Sequence, residues 1–261
     1  MMFYKKSLGQ NFLTDLNVIK KILSLVEIKN KNIIEIGPGK GALSFQILKS
    51  NPKSLTLIEK DFNLSKNLEK KFITEKKIKI YNEDILKFDL ENKCLKNTIV
   101  FGNLPYNISS QILVKFLNFN KWLPKISDYI FMFQKELGDK IIGNFKTSNY
   151  GRLSILTNFR LNVKKKFLVS SNCFFPKPKV TSMVIHFKPI LNKKYKIKRI
   201  KNLEKITNIL FSNKRKMINK NIIKILDQKK LKKLNNLDLN SRPAELNPDI
   251  YYKITELFER K

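Results

Sequence analysis

Short apolar runs alternate with segments of helical periodicity along the first half of the chain. The runs rich in β-branched and aromatic residues are 32–36, 54–58, 78–81, 97–102 and 129–133. Apolar runs of this length, bounded by turn residues, are typical of buried strands. Parallel strands are joined by crossover connections that usually contain a helix. The alternation therefore predicts an open α/β sheet with helices on its faces.

Two further strands and a change of pattern follow this region. Residues 164–169 and 180–187 predict strands that form an antiparallel edge pair. From about Ile190 the pattern changes to short basic helices. We therefore expect an α/β domain at residues 1–189 and a small all-helical domain at residues 190–261, a division that a chain of 261 residues can support.

Several classes of protein are excluded by composition. No apolar run approaches the roughly 20 residues of a membrane helix, and the first residues lack the apolar stretch of a secretory signal. We expect a soluble, cytoplasmic protein. The two cysteines, Cys94 and Cys173, are far apart, and His186 is the single histidine. A zinc site or a Ser-His-Asp triad is therefore excluded, and we expect no metal.

The chain is strongly basic. It has 53 Lys and Arg residues against 21 Asp and Glu residues, a formal net charge of +32. Residues 193–233 contain 16 of these cations and two acidic residues, a net charge of +14. Such a field attracts polyanions and predicts a nucleic acid partner. AT-rich genomes also produce an excess of lysine, asparagine and isoleucine, so the charge supports this prediction without deciding it.

The run at residues 97–102 leads directly into the sequence FGNLPYNIS at residues 101–109. Asn103 offers a side-chain carbonyl, Pro105 stiffens the turn, and Tyr106 offers a ring for stacking. Two acceptors, one of them the backbone carbonyl of Leu104, and a stacking face suit the amino edge of an adenine-like ring. An ordinary turn has similar residues, but this one lies at the carboxyl end of a strand, where open α/β sheets bind their ligands.

A second group of residues is typical of a nucleotide cofactor site. Glycines 37, 39 and 41 follow the first run, which allows close approach of a ligand to a helix N-terminus. Glu59, at the end of the next run, can accept hydrogen bonds from ribose hydroxyls. Nicotinamide enzymes share both features. Asp84 after the third run can accept from an adenine amine, and Asp84 together with FGNLPYNIS favours a methyltransferase.

The chain resembles the bacterial small-subunit (16S) ribosomal RNA adenine dimethyltransferases, the KsgA family. The resemblance covers nearly the whole length in blocks that occur in the expected order, namely 7–13, 35–39, 101–109, 131–136, 150–154 and 174–182. It implies a Rossmann-like S-adenosylmethionine-dependent fold with residues 1–13 as an N-terminal cofactor segment, and a C-terminal domain that binds RNA. The chain departs from the family at residues 137–140, where we assign no RNA contact.

Carried over by position, the resemblance implies two sets of site residues. S-adenosylmethionine would be contacted by Gln10, Asn11, Leu13, Gly37, Gly39, Glu59, Lys60, Asp84, Ile85 and Asn103. The target base would be held by Asn103, Leu104, Pro105, Tyr106 and Phe174. The implied partner is small-subunit ribosomal RNA in an immature 30S subunit, and we expect a monomer.

Three functions remain open from the sequence. The first is dimethylation of two neighbouring adenosines in a hairpin near the 3′ end of small-subunit RNA. The second is methylation of one adenosine of large-subunit (23S) RNA, which confers antibiotic resistance. The third is a non-catalytic RNA-binding assembly factor with the same fold. Gly102, the block at 131–136 and the basic C-terminal helices favour the first. Intact Glu59 and Asn103 argue against the third.

Overall fold

A seven-stranded sheet organises the α/β part of the chain. The computed structural model describes residues 10–122, 124–191, 194–234 and 237–260. The strands of this sheet are β2 (Asn32–Ile36), β3 (Ser54–Ile58), β4 (Ile78–Tyr81), β5 (Thr98–Asn103), β6 (Ile126–Gln134), β7 (Leu161–Val169) and β9 (Ser182–Pro189). A separate two-stranded pair joins β1 (Phe12–Leu13) to β8 (Phe174–Phe175).

The order of the strands creates a topological switch point. The large sheet has the order β4-β3-β2-β5-β6-β9-β7, and the strands from β4 to β6 are parallel. The chain therefore proceeds from β2 toward one edge and returns through β5 toward the other. Ile36 is the register partner of both Ile58 and Gly102. The segments that follow β2, β3 and β5 consequently leave the sheet at the same end.

Helices lie between these strands along the chain. They are α1 (Leu16–Leu23), α2 (Ala42–Lys49), α3 (Phe62–Lys71), α4 (Leu90–Lys93), α5 (Ser109–Leu117), α6 (Lys135–Ile141) and α7 (Arg152–Arg160). Aspartates precede three of them, α1, α3 and α4, because a side-chain carboxylate satisfies backbone N–H groups that the first helical turn leaves free. Asp15 accepts from the backbone nitrogens of Asn17 and Val18. Asp61 caps α3 in the same way.

The core of this region lies between the sheet and its helices. Apolar side chains of β2, β3 and β5 pack with those of α1, α2 and α3, and the most deeply buried include Ile19, Ile33, Ile47, Leu55, Leu57, Leu68 and Phe101. Each fully buried aliphatic side chain contributes roughly 1.5–3 kcal/mol of transfer free energy. The positions of the strand ends are therefore fixed by a dense core.

The chain divides into two compact units. The first comprises Met1–Gly138 and Val163–Pro189, and the second comprises Asp139–Asn162 and Ile190–Lys261. Beyond Ile190 the second unit contains α8 (Ile200–Phe211), α9 (Asn219–Ile222), α10 (Gln228–Leu231) and α11 (Pro248–Glu259). Two of these helices have twelve residues, longer than the short helices that the sequence predicted.

Tyrosine hydroxyls hold the second unit together. The Tyr150 hydroxyl donates to the carbonyl of Leu246 at 2.9 Å, and the Tyr252 hydroxyl donates to the carbonyl of Ile155 at 3.0 Å. The ring of Tyr252 also lies 5.0 Å from that of Phe159. These bonds join α7 and the residues before it to the C-terminal helices within one unit.

The predicted fold class is confirmed. The described residues form an α/β sheet with mainly parallel strands, a strand β9 that runs antiparallel to β6 and neighbours the edge strand β7, and a helical C-terminal region. None of the helices in the described ranges has the length and apolar character needed to cross a bilayer.

Candidate active site

A cavity opens at the switch point of the sheet. It is lined by thirteen of the site residues predicted from the sequence, which are Gln10, Asn11, Leu13, Gly37, Gly39, Glu59, Lys60, Asp84, Ile85, Asn103, Leu104, Pro105 and Tyr106. Residues 1–9 of the predicted N-terminal segment lie outside the described residues. Open α/β sheets bind ligands in such a crevice, beyond the carboxyl ends of their strands.

The glycine loop after β2 is bonded to Glu59 at the end of β3. The backbone nitrogen of Gly39 donates to Oε2 of Glu59 at 3.1 Å, and that of Asp61 donates to Oε1 at 2.9 Å. Gly39 has a φ of 57°, and a Cβ there would lie 2.7 Å from the ring of Phe12. Burial raises the pKa of Glu59 above its ordinary value, against the effect of these two bonds. Each carboxylate oxygen retains a lone pair for a ligand hydroxyl.

Asp84 follows β4 and is held as a carboxylate. The ammonium of Lys60 donates to its Oδ2 at 2.8 Å, and the backbone nitrogen of Leu86 donates to its Oδ1 at 2.9 Å. The hydrogen bond from Lys60 is the main cause of a pKa below the ordinary value for Asp84. Ile85, 6% exposed, supplies an apolar wall beside it. A carboxylate next to an apolar wall suits a flat ring that bears an amino group.

Asn103 ends β5 with its side chain oriented by the N-terminal segment. Its Nδ2 donates to the backbone carbonyl of Asn11 at 2.8 Å. The donor end of the amide is thereby engaged, and Oδ1 is the acceptor end. Gly102 precedes it without a side chain because a Cβ there would lie 2.5 Å from Cδ2 of Leu104, whose buried side chain anchors the loop.

Tyr106 is fixed at its hydroxyl. This oxygen lies 2.5 Å from Oγ of Ser182, a fully buried residue that begins β9. Burial raises the pKa of Tyr106, so the phenol stays protonated. The carbonyl of Pro105 accepts a hydrogen bond from the backbone nitrogen of Ile108 at 3.1 Å, which closes the turn before α5. The loop therefore presents Tyr106 as a ring tethered at one end.

Phe174 occupies a different place from the other predicted site residues. Its side chain is 4% exposed and belongs to the core, and its register partner in the β1–β8 pair is Leu13. It is not among the residues that line the cavity. The exposed ring at this position is its neighbour Phe175, which is 61% exposed and pairs with Phe12.

Glu35 is a cavity residue that the sequence analysis did not assign. It lies in β2, lines the cavity and is 3% exposed. Burial raises its pKa to about 7, although the hydroxyl of Ser44 donates to its Oε2 at 2.6 Å. A carboxylate within the apolar run NIIEI was the available signal. Lys40 and Phe12 also line the cavity and were not assigned.

The single histidine is remote from this cavity. Nε2 of His186 lies 2.7 Å from Oδ1 of Asp128, both residues are buried, and neither lines the cavity. Within the described ranges, no group of three or more His, Cys, Asp or Glu side chains is placed to hold a metal ion.

Known proteins share the sequence and the fold. Residues 2–260 match the family model described as Ribosomal RNA adenine dimethylase. A protein of Pelagibacter ubique named Ribosomal RNA small subunit methyltransferase A is 47% identical over 259 residues, which cover 98% of this chain and 97% of that protein. The resemblance inferred from the sequence is thereby confirmed.

Solved structures are similar at lower sequence identity. A dimethyladenosine transferase from Plasmodium falciparum has a TM-score of 0.74 at 24% identity, covering 93% of this chain and 95% of that one. The 23S rRNA methyltransferase ErmE has a TM-score of 0.68 at 22% identity, covering 95% and 100%. At these identities the likeness establishes the Rossmann-like methyltransferase fold. Together with the match of residues 2–260 to the family model, this shows that the chain belongs to the ribosomal RNA adenine dimethylase family.

Proposed function

We propose that the protein transfers methyl groups from S-adenosylmethionine to N6 of two adjacent adenosines in the 3′-terminal hairpin of small-subunit ribosomal RNA. The observation that carries this proposal is the oriented amide of Asn103, in a cavity that also contains the carboxylates of Glu59 and Asp84. The 47% identity to a small-subunit methyltransferase supports this target over large-subunit RNA. A non-catalytic role is disfavoured because all three polar groups are present.

The donors and acceptors of the cavity fit S-adenosylmethionine. Glu59 would accept from the ribose hydroxyls, because its two oxygens are already aligned by the backbone nitrogens of Gly39 and Asp61. Asp84 would accept from the adenine amine of the cofactor, beside Ile85 and with Lys60 holding the carboxylate. Gln10, Asn11, Leu13 and Gly37 complete the wall. When bound, the cofactor supplies an electrophilic methyl group on a sulfonium.

The loop at residues 103–106 would hold the target adenine. Its amine is a poor nucleophile because the lone pair is delocalised into the ring. Acceptors on Oδ1 of Asn103 and the carbonyl of Leu104 would align the amine, which lowers the entropic part of the barrier. Pro105 fixes the turn, and the tethered ring of Tyr106 would stack on the base. The nitrogen becomes acidic as it is methylated, so a strongly basic side chain is not required.

Phe174 keeps a role in this proposal as a supporting residue. It is buried and is the register partner of Leu13, which lines the cavity, and the next residue, Phe175, is the register partner of Phe12. Direct stacking of Phe174 on the target base would require a rearrangement of β1 and β8 when RNA binds. The proposed role in the free protein is to hold the N-terminal segment against the site.

The proposed substrate is RNA in an immature 30S subunit. Support comes from the net charge of +14 over residues 193–233 and from exposed Lys214, Arg215 and Lys216 after α8. We propose that residues 190–261 bind RNA, that residues 1–189 perform catalysis, and that one chain suffices as a monomer. Such a reaction would take place where ribosomal subunits are assembled, in the cytoplasm.

Labelled S-adenosylmethionine tests the function directly. The protein would be incubated with immature small subunits, naked small-subunit RNA and large subunits, and the modified bases mapped. We expect dimethyladenosine at two adjacent positions of the small-subunit hairpin. Label confined to large-subunit RNA would refute the proposal in favour of the second function. Tight binding of subunits without label would favour an assembly factor.

A further inference from the structure

Phe175 presents an exposed aromatic ring beside the cavity. Its side chain is 61% exposed, and its cross-strand partner Phe12 lines the cavity. Phe174 next to it is buried in the core, so the alternation of the strand forces the ring of Phe175 outward. Because Phe174 packs in the core on one face of the β1–β8 pair, the ring of Phe175 is exposed on the other face.

A cation lies beside this ring. Nζ of Lys40 lies 5.8 Å from the ring centroid of Phe175 and 5.0 Å from that of Phe12. Lys40 is exposed and also lines the cavity. Nζ of Lys71, which is also exposed, donates to the backbone carbonyl of Lys40 at 3.1 Å and so holds the backbone of the residue that carries this ammonium. No carboxylate is hydrogen-bonded to either ammonium among the described residues.

We propose that Phe175, with Lys40, forms a stacking site for the nucleotide adjacent to the target adenosine. The proposal rests on the proposed function, because it requires one base to leave its stack and enter the cavity. Its neighbour then loses a stacking partner and exposes a flat face. An exposed ring with an ammonium group beside it binds such a base and its phosphate, as single-strand binding surfaces do.

The arrangement favours RNA over a protein partner. A protein partner would cover an exposed Phe with apolar side chains, whereas the ring of Phe175 has the ammonium of Lys40 beside it. A base offers a π face to the ring and a phosphate to this ammonium at once. Lys40 and Phe12, the register partner of Phe175, both line the cavity, so the site lies next to the place of the nucleotide being modified.

Substitution of Phe175 tests the site, with Phe62 as a matched control. Phe62 is 59% exposed, has Nζ of Lys66 5.7 Å from its ring centroid, and does not line the cavity. We expect Phe175→Ala and Phe175→Leu to raise KM for immature small subunits about tenfold, the effect of removing one stacked base. Phe175→Trp should stay within about twofold of the unmodified chain, as should Phe62→Ala. The Kd for S-adenosylhomocysteine should be unchanged in all four.

A base-specific probe completes the test. A hairpin with 2-aminopurine next to the target should show quenched fluorescence on binding, and Phe175→Leu should abolish that quenching while Phe62→Ala retains it. Equal KM for Phe175→Leu and the unmodified chain, or equal losses in Phe62→Ala, would overturn the stacking site and leave methylation intact. If the unmodified chain quenched the probe but methylated no RNA, and Phe175→Leu abolished the quenching, the stacking site would stand and the proposed function would be refuted.

Discussion

The side-chain amide of Asn103 donates a 2.8 Å hydrogen bond to the backbone carbonyl of Asn11, 92 residues earlier in the chain. Because an amide has distinct donor and acceptor ends, this bond decides which end remains for a ligand. The acceptor Oδ1 is the one that can receive a hydrogen bond from an amine in the cavity. The N-terminal segment therefore orients the residue that we propose aligns the target.

Replacement of Asn103 should affect transfer much more than RNA binding. We expect Asn103→Ala to lower kcat by about 100-fold or more, the usual effect of removing one oriented polar group that acts in the transition state. Asn103→Asp should be as severe, because its carboxylate would face the carbonyl of Asn11. Single-turnover methylation and RNA Kd should be measured together, with the exposed Asn17→Ala as control. Near-normal turnover in Asn103→Ala would refute the site assignment.

The carboxylate of Glu59 accepts hydrogen bonds from two backbone N–H groups, so even glutamine is a poor substitute for it. In Glu59→Gln the amide nitrogen must face the N–H of either Gly39 or Asp61, so one donor meets another. The loss of one buried hydrogen bond costs about 1–3 kcal/mol. We expect the Kd for S-adenosylhomocysteine to rise at least tenfold by calorimetry. Unchanged affinity would show that the cofactor does not contact this carboxylate.

The sequence predicts those features of the fold and site that depend on residues close together along the chain, and not those that depend on residues far apart along it. Strands β2, β3 and β4 begin and end as predicted, because short apolar runs bounded by turn residues are local signals. Strands β1 and β8 have two residues each, and their pairing joins positions about 160 residues apart, which no local pattern encodes. The adjacent Phe174 and Phe175 are chemically identical, so the sequence could not indicate which ring faces inward. That choice follows from the register of Phe174 with Leu13.

Glu35 should make stability depend on pH near neutrality. Its pKa in the folded chain is about 7, raised mainly by burial from 4.5, so folding strengthens proton binding. The resulting stabilisation is full below the unfolded pKa and is lost as pH rises through the folded pKa, a change of about 3 kcal/mol. Glu35→Gln stays neutral and should lack this change. The free energies of unfolding in urea, measured from about pH 4.5 to pH 8, should therefore converge or cross for Glu35→Gln and the unmodified chain. For the exposed Glu75→Gln, the free energy of unfolding should run parallel to that of the unmodified chain. Parallel curves for Glu35→Gln would contradict the assigned pKa.

Lys115 links helix α5 to the segment after Asp84. Its Nζ donates to the carbonyls of Leu86 at 2.8 Å and Phe88 at 2.7 Å. We expect Lys115→Met to raise KM for S-adenosylmethionine severalfold while kcat at saturation stays within about twofold, because the segment that holds Asp84 loses two anchors. Lys115→Arg should restore part of the affinity, and the exposed Lys121→Met serves as control. A fall in kcat with unchanged KM would contradict this role.

The basic residues after α8 should contribute to RNA affinity through phosphate contacts. Lys214, Arg215 and Lys216 are exposed in the second unit. Each phosphate contact releases condensed counterions, so the logarithm of affinity falls with the logarithm of salt concentration by roughly 0.7–0.9 per contact. We expect Lys214→Gln combined with Lys216→Gln to weaken binding of immature small subunits and to reduce that slope by about 1–2. The exposed Lys53→Gln and Lys79→Gln together remove the same charge from the first unit. If both pairs reduced the slope equally, the RNA contacts would depend on net charge alone rather than on this segment.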